Sequence, residues 1–390
     1  GMTRTKQQDL PVNRSQGGLM LWHGMNISGL RRFIRSRPAM HWSRLHKLMA
    51  LPAMAAYNSG MGALESLVYG RAVEKTELVE PPLFVLGFWR SGTTLLQNLL
   101  SHDPQFAHLG LYQALFPWHF LLTETVTKKL TAPFVPRARP MDNVEVSWDA
   151  PQEDDIATAI MSQVSPYMFL SRPHDLRYFW KALDFENLSD TELERYESCL
   201  MHLLKKLTYK SQKRIMLKSP FHTYHVQKLV ELFPDAKFLY IHRDPYHVVR
   251  SACHLRRRMI EENTLGRPVF CNVEDEIIDT YRFGLERFEQ DRHLIPDGNL
   301  HEICFEQLEA DPVAELAAAY GSLGLTGFGN LKTALLPTLF SLRRYKKNQF
   351  NDDPVLIRRV YEELRPAYKR FRYPAPDLQS SPINGESGAA

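Results

Sequence analysis

Short apolar runs alternate with amphipathic stretches over most of the chain. The run Leu83–Leu86 lies between a pair of prolines and Gly87, and four consecutive apolar residues in this setting favour a buried strand. Comparable runs at Ile215–Leu217, Phe238–Ile241 and Glu302–Phe305 predict three more strands. Helical patterns separate or flank them, at 93–101, 189–211, 222–233, 245–261, 274–292, 309–323 and 355–371. The sequence therefore predicts an α/β fold, a P-loop-type parallel sheet with flanking helices.

The first 80 residues follow a different pattern. Segments 28–36, 39–58 and 60–72 are typical of short helices, with Pro38, Pro52 and a glycine pair as the breaks between them. This part carries 11 Lys and Arg against 5 Asp and Glu. The pattern fits either a helical lead-in with a solvated basic face or a surface helix that touches a membrane or an acidic partner. We therefore divide the chain into an N-terminal helical extension (1–80), an α/β domain (81–375) and a disordered tail (376–390).

Composition excludes several classes of protein. The 390 residues carry a formal charge of +4, with 44% hydrophobic and 24% charged residues, which is an ordinary globular balance. No apolar run reaches the length of about 18 residues that a membrane-spanning helix needs. Four cysteines without a CxxC pair predict a reducing, cytoplasmic setting. The modest positive charge and the lack of a recognition motif argue against a nucleic-acid partner.

The segment Gly87–Thr94, with the sequence GFWRSGTT, lies between the first predicted strand and a helix. This is the setting of a phosphate-binding loop, in which the backbone N–H groups of residues 90–94 and the helix dipole converge on one anion. Gly92 lets the backbone approach the anion, and Thr93 and Thr94 add hydroxyl groups. An ordinary strand–turn–helix connection with Ser and Thr caps is the alternative.

The loop differs from that of nucleotide triphosphatases. Thr93 stands where those proteins carry lysine, and the cation is Arg90, inside the loop. No acidic residue directly follows the Phe238–Ile241 strand, where a magnesium-holding aspartate would stand. We therefore expect the loop to bind an anion without a metal.

A second anion-binding turn is predicted after the Phe238–Ile241 strand. Arg243 stands at the end of that strand, and a helix starts near Pro245 and carries Ser251 about two turns on. Taken alone, Arg243 could equally pair with Asp244 or a helix terminus. Two anion-binding turns at the strand ends of one sheet instead indicate a nucleotide with anionic groups on both its 5′ and 3′ sides.

These motifs together resemble the sulfotransferases that use 3′-phosphoadenosine 5′-phosphosulfate (PAPS), most closely the tyrosylprotein-sulfotransferase-like and bacterial branch. The resemblance covers roughly residues 83–320. It rests on Arg90–Thr94, on Arg243-Asp244-Pro245 with Ser251, on Lys218-Ser219-Pro220, and on Phe305–Leu308 with Asp311-Pro312. It implies a sulfuryl transfer from PAPS to a hydroxyl or amine, with PAP as the product and no metal required.

The resemblance also implies roles for the matched residues. Residues 90–94 (Arg90, Ser91, Gly92, Thr93 and Thr94) would hold the 5′-phosphosulfate, and Arg243 and Ser251 the 3′-phosphate. A late basic segment closes over the 3′-phosphate in the family, and 343–347 occupies a suitable position, although it also fits a solvated basic face. Arg90 and Lys218 would stabilise the charge that develops on the bridging oxygen.

The general base is where the chain departs from the family pattern. Gln113 occupies the region that supplies a glutamate in the tyrosylprotein branch, and Pro220 stands where the cytosolic branch has histidine. Glu153, Asp154, Asp155 and His222 remain as candidates, and we favour Glu153. The acids also fit helix N-terminal residues that complement the dipole.

The acceptor is open to several interpretations. Aromatic residues are frequent at 105–120 and 165–180, where they line either an acceptor pocket or the core. A small molecule or lipid alcohol is favoured over a polysaccharide or peptide, and peripheral membrane contact is compatible with the basic extension. A sulfotransferase-like protein that has lost activity and a P-loop kinase are the alternative functions.

Overall fold

The computed structural model of the chain describes residues 21–133, 148–270, 272–342 and 352–377. Within these residues a five-stranded parallel sheet has the order β2-β3-β1-β4-β5. The strands are β1 (Leu83–Leu86), β2 (Phe106–His108), β3 (Arg214–Lys218), β4 (Lys237–His242) and β5 (Leu300–Cys304). The sheet confirms the predicted fold class. β2 was not predicted, because three residues at a sheet edge leave almost no pattern.

The α-helices, numbered along the chain, occur between and after the strands. They are α1 (Ile27–Arg35), α2 (Leu45–Glu74), α3 (Thr93–Leu100), α4 (Leu111–Leu115), α5 (Phe120–Thr131), α6 (Asp154–Ser162), α7 (Arg177–Leu183), α8 (Asp190–Ser211), α9 (Val226–Leu232), α10 (Pro245–Asn263), α11 (Val273–Asp291), α12 (Phe305–Ala310), α13 (Pro312–Leu323), α14 (Phe328–Leu342), α15 (Pro354–Glu363) and α16 (Arg365–Phe371). Short 3₁₀ segments include Trp42–Arg44, Pro166–Ser171 and Pro220–Tyr224.

Alternate residues of β1 point to opposite sides of the sheet, and both sides are buried. Leu83 and Val85 pack in one apolar cluster with residues of α3, α13 and α14. Phe84 and Leu86 pack in a larger cluster with residues of α8, α10 and α11. A strand that is covered on both faces reads as a continuous apolar run, which is why β1 was recognisable in the sequence.

The N-terminal helices share the larger of these clusters. Trp22, Phe33 and Leu51 belong to the same apolar cluster as Phe84. The division at residue 80 stays a prediction, and residues 378–390 of the predicted tail lie outside the described part of the chain. None of the described helices is both long and apolar enough to cross a membrane.

One N-terminal expectation is wrong: α2 is a single helix of 30 residues and not two short ones. It continues through Pro52 and past Gly60. Pro52 is exposed, so water can bind the carbonyl group that the missing N–H leaves without a partner. Leu51, Ala55 and Val73 are buried along the other side of the helix. This packing outweighs the local preference for a break.

A buried ion pair fastens α2 to α8. The Lys206 ammonium group donates to Glu65 Oε2 and to the Pro117 carbonyl oxygen, at 2.6 Å each, and lies 4.1 Å from the ring centre of Phe120. Glu65 also accepts a hydrogen bond from the Leu121 N–H group at 2.7 Å. Burial lowers the pKa of Lys206 to about 8, against the opposing effect of Glu65. The pair therefore depends on both partners being present.

Substitution of one partner tests this dependence. We expect Lys206→Met to lower the free energy of unfolding by about 3–5 kcal/mol, because Glu65 stays buried without its cation. Urea unfolding followed by circular dichroism measures the change. The matched control is Arg258→Met, whose pair with Glu262 is exposed and should contribute less than about 1 kcal/mol. Equal losses of unfolding free energy in the two variants would contradict the conclusion that the buried Glu65 depends on Lys206.

Candidate active site

The phosphate-type loop joins β1 to α3 in a conformation that needs glycine. Gly92 has φ +109°, and a Cβ atom there would stand 2.4 Å from Cδ2 of Phe305. No side chain caps the N-terminus of α3, whose first N–H groups have no partner within the helix. Ser91 Oγ donates to the Phe88 carbonyl oxygen at 2.6 Å, which stabilises the turn. The loop thus presents backbone donors to a ligand at the end of the sheet.

The two predicted anion-binding turns lie side by side. Arg90 Nε donates to Ser251 Oγ at 2.7 Å, and Arg243 Nη1 donates to the Arg90 carbonyl oxygen at 3.4 Å. The Arg243 guanidinium group stacks over Phe305, 4.3 Å from the ring centre. Arg90 therefore contacts both Ser251 and Arg243, and the two predicted anion-binding turns form one cluster of residues.

Residues other than the predicted phosphate ligands hold the Arg243 turn in place. Asp244 caps α10 by accepting from the N–H groups of Tyr246 and His247, at 2.9 and 3.3 Å. The N–H group of Asp244 donates to Glu306 Oε1 at 3.1 Å, and the Tyr373 hydroxyl donates to Glu306 Oε2 at 2.7 Å. Glu306 belongs to the matched segment 305–308. Tyr373 is distant in sequence, and no local signal marks it.

Lys218 and Glu153 form an ion pair beside the loop. Lys218 Nζ lies 3.0 Å from Glu153 Oε1 and 3.4 Å from Thr94 Oγ1. The Lys218 side chain is 5% exposed and that of Glu153 is 17% exposed. The Tyr167 hydroxyl donates to the other carboxylate oxygen of Glu153. The favoured base, the strand-end lysine and the first turn of α3 thus meet at one point.

The other base candidates lie deeper and bind one another. His222 Nε2 is 2.7 Å from Asp154 Oδ2, and both side chains are fully buried. Although burial opposes it, the Asp154 carboxylate raises the pKa of His222. Asp155 accepts a hydrogen bond from Ser219 Oγ, and burial raises its pKa to about 7. Their contacts tie the start of α6 to the end of β3, which holds Glu153 against Lys218.

Asp154, Asp155 and His222 also form a group close enough to share a metal ion within the described residues. Each of the three already makes a hydrogen bond or ion pair inside the protein, to His222, Ser219 and Asp154 respectively. One carboxylate oxygen of Asp154 and Nδ1 of His222 are nevertheless buried without a hydrogen-bond partner among the described residues, so these contacts do not satisfy every polar atom of the group.

The remaining predicted features fall into three groups. Gln113 accepts from the Gly110 N–H group at 2.9 Å and donates to Glu124 at 3.2 Å, so its contacts are structural. The aromatic residues at 105–120 and 165–180 are mostly core, since Tyr112, Phe116, Phe169 and Phe179 are buried in the larger cluster. The basic segment 343–347 lies outside the described residues.

A small crevice of about 10 Å³, lined mainly by apolar side chains, lies beside Tyr167, whose hydroxyl contacts Glu153. Trp89 from the loop and Tyr167 both pack edge-on against Phe221, with ring centres 4.8 and 4.7 Å apart. Phe169, Phe179, Leu255 and Met259 line the same crevice. Tyr167 is the residue that links this apolar wall to Glu153, and the sequence offered no reason to prefer it over its aromatic neighbours.

Comparison with known proteins gives relatives at two levels of similarity. The chain is 34% identical over 331 residues to the omega-hydroxy-beta-dihydromenaquinone-9 sulfotransferases Stf3 of Mycobacterium bovis and Mycobacterium tuberculosis, which covers 85% of each chain. Among solved structures, the sulfotransferase STF9 of Mycobacterium avium matches with a TM-score of 0.61 at 19% identity, covering 92% of this chain and 93% of that one. STF1 of Mycobacterium tuberculosis matches with a TM-score of 0.56 at 20% identity, covering 86% and 89%.

These structures confirm the fold, and the sequence relatives confirm the family predicted from the motifs. The tyrosylprotein-like part of that prediction finds only loose support, because the relatives named above are mycobacterial sulfotransferases. The family model for the sulfotransferase family matches residues 81–328, which spans both anion-binding turns, Glu153 and Lys218. This chain belongs to the sulfotransferase family and is a sulfuryl-transferring enzyme.

Proposed function

We propose that the cleft at the carboxyl ends of the strands binds PAPS, the co-substrate typical of the family, and transfers its sulfuryl group to a hydrophobic alcohol. Residues 90–94 hold the 5′-phosphosulfate, and Arg243 and Ser251 hold the 3′-phosphate. The observation that carries this assignment is the contact of Arg90 with both Ser251 and Arg243. The two phosphate groups replace the Arg90–Ser251 hydrogen bond with charge-assisted ones.

The transfer is an in-line displacement at sulfur. The acceptor oxygen forms a bond to sulfur while the bond from sulfur to the bridging phosphate oxygen breaks, and PAP leaves. Arg90 and Lys218 stabilise the negative charge that grows on the bridging oxygen. Lys218 is suited to this because it is nearly fully buried and lies 3.4 Å from Thr94 in the first turn of α3.

Glu153 accepts the proton of the acceptor hydroxyl group. It is a better base than Asp154 because it keeps partial access to solvent, whereas Asp154 is fully buried against His222. Tyr167 and Lys218 orient its carboxylate from two sides. Glu153 is the N-cap residue of α6, so its backbone is anchored directly to the first turn of a helix.

The two cations carry out the charge stabilisation without a metal in this proposal. Sulfuryl groups bear less negative charge than phosphoryl groups, so the demand for cations is smaller. The carboxylates and histidine that come close enough to share an ion in the described chain are buried behind Glu153.

The acceptor is a lipid alcohol. The relative of 34% identity is named for a hydroxylated menaquinone, which is a hydrophobic molecule with a terminal hydroxyl group. The crevice of Trp89, Tyr167 and Phe221 lies beside Glu153, but it holds only about 10 Å³, the room of a single water molecule. An isoprenoid tail would therefore have to displace these side chains or lie along them.

Calorimetric titration with PAP tests the nucleotide site. We expect Arg243→Ala to weaken binding about 10- to 100-fold, the loss of a charged hydrogen bond worth about 1.5–3 kcal/mol. The control is Arg258→Ala, which removes an exposed arginine of α10, the helix that follows Arg243. This variant should bind PAP normally. The affinity should be the same with magnesium and with EDTA. No binding at high micromolar PAP would refute the nucleotide site, and a magnesium requirement would refute the metal-free proposal.

Substitution of Glu153 tests the base. We expect Glu153→Gln to lower kcat about 10²–10⁴-fold, the usual contribution of a general base, while PAP affinity stays within about threefold. The rate is followed as transfer of radiolabelled sulfate from PAPS into a lipid extract. Glu231→Gln, at an exposed position of α9 where the glutamate pairs with Lys228, is the matched control. Normal turnover in Glu153→Gln would exclude this residue as the base.

A series of alcohols tests the acceptor class. Farnesol and prenol carry the same allylic alcohol on tails of different length, and glucose offers only polar hydroxyl groups. Farnesol has a longer hydrocarbon tail than prenol. Burial of about four methylene equivalents of that additional tail contributes about 3 kcal/mol, so we expect kcat/KM for farnesol to exceed that for prenol at least about 100-fold. Comparable rates with glucose would show that the acceptor is polar. PAP titration of the same samples would show separately whether the nucleotide site is intact.

A further inference from the structure

The side of α2 that faces away from the core is apolar over most of its length. Leu51, Ala55, Asn58, Glu65 and Val73 mark the buried side. The opposite positions, spaced by three or four residues, are all exposed, and we call them the outer face of α2. They are Met49, Ala53, Ala56, Gly60, Ala63, Leu64 and Leu67.

This face is long and lacks charge. From Met49 to Leu67 it extends about 27 Å at the helical rise of 1.5 Å per residue. Met49 is 70% exposed and Leu67 is 82% exposed. Single exposed apolar residues are common on proteins, but a continuous apolar strip of this length marks a binding surface.

The amino end of the same segment is basic. The sequence from Leu10 to Leu64 contains no Asp or Glu. Arg31, Arg35 and Arg37 are exposed at α1 and just after it, and Trp42, which begins the turn into α2, is 78% exposed. Arg44 and Lys47 donate to the carbonyl oxygens of Glu261 and Glu262, so two acidic residues near the end of α10 adjoin this end. An apolar strip, an exposed tryptophan and a cluster of arginines are the three features of a helix that lies on an anionic membrane surface.

We propose that the outer face of α2, with the basic segment before it, binds the surface of a bilayer that contains anionic lipids. The helix lies along the interface, and its apolar side chains enter the acyl region while the arginines contact the headgroups. This inference is independent of the residues assigned to PAPS.

A second copy of the chain is a poorer partner for this face. The stretch 71–80 at the carboxyl end of α2 carries Arg71 and Lys75 against Glu74, Glu77 and Glu80, so it offers the arginines of another copy a net charge of only −1. Two copies with their amino ends together would bring like charges into contact. An anionic bilayer supplies the missing negative charge at any orientation of the helix.

The basic segment is fastened to elements that carry the active site. The N–H group of Ala39 donates to the Ser171 carbonyl oxygen, at the end of the 3₁₀ segment that contains Tyr167. The N–H group of His41 donates to the Leu265 carbonyl oxygen, just beyond α10, which carries Ser251; both distances are 2.9 Å. A membrane bound at α2 is thus held at a set distance from the cleft.

Vesicle flotation of the full chain tests the proposal. We expect binding to phosphatidylcholine vesicles with about 30 mol % phosphatidylglycerol to exceed binding to pure phosphatidylcholine at least tenfold, and to fall with added salt. Met49→Glu with Leu67→Glu should lose binding at least tenfold. Val355→Glu, at a position on α15 that is 79% exposed, is the matched control and should bind normally. Arg31→Glu with Arg35→Glu should abolish the preference for phosphatidylglycerol.

Three outcomes would overturn the inference. They are no vesicle binding by the full chain, normal binding by the Met49/Leu67 variant, and a dimer in light scattering that this variant dissociates, which would assign the face to a second copy. PAP titration of each variant shows whether the fold and the nucleotide site are intact, so a folding defect is not mistaken for lost membrane binding.

Discussion

The parallel pairing of β1 with β3 on one side and with β4 on the other is the constraint on which the site depends. Val85 pairs with Lys218 and Leu86 pairs with Tyr240, so the three strands end at nearly the same level. Each chain segment that leaves this edge delivers one part of the site: the loop with Arg90, the residue Lys218, and the turn with Arg243. The carboxyl ends of parallel strands lie at one edge of the sheet. Residues more than 100 positions apart in the sequence therefore come close together at this edge.

At this edge of the sheet, the backbone of the loop after β1 lies very close to the ring of Phe305. Gly92 leaves room for Phe305, and Arg243 stacks on the same ring. One aromatic side chain from the start of α12 therefore touches both anion-binding turns and sets the gap between them. A larger residue at position 92 would push Phe305 away from Arg243, so the glycine serves the second turn as well as its own.

Much of this arrangement was predictable, and the reasons are local. Buried parallel strands are apolar runs, so β1, β3 and β4 could be recognised, and the position of the loop between a strand and a helix is the setting that a phosphate-binding loop requires. β2 and the continuity of α2 were not, because a three-residue edge strand has no period and tertiary packing overrides a proline in a helix. Tyr167 and Tyr373 were missed for another reason. Their roles arise from contacts across the fold, to Glu153 and Glu306, which no sequence spacing encodes.

The buried Glu65–Lys206 pair connects the stability of the fold with the surface of α2. Glu65 is the one charged residue of the helix between Leu48 and Gly70, and it points inward, where Lys206 and the Leu121 N–H group satisfy its carboxylate. A buried ion pair is a costly way to join two helices, since apolar residues of equal volume often do so as well or better. Its position has a second consequence, however. It keeps the only acid of this stretch away from solvent, and the exposed side of α2 between Leu48 and Gly70 stays free of the negative charge that would repel an anionic bilayer.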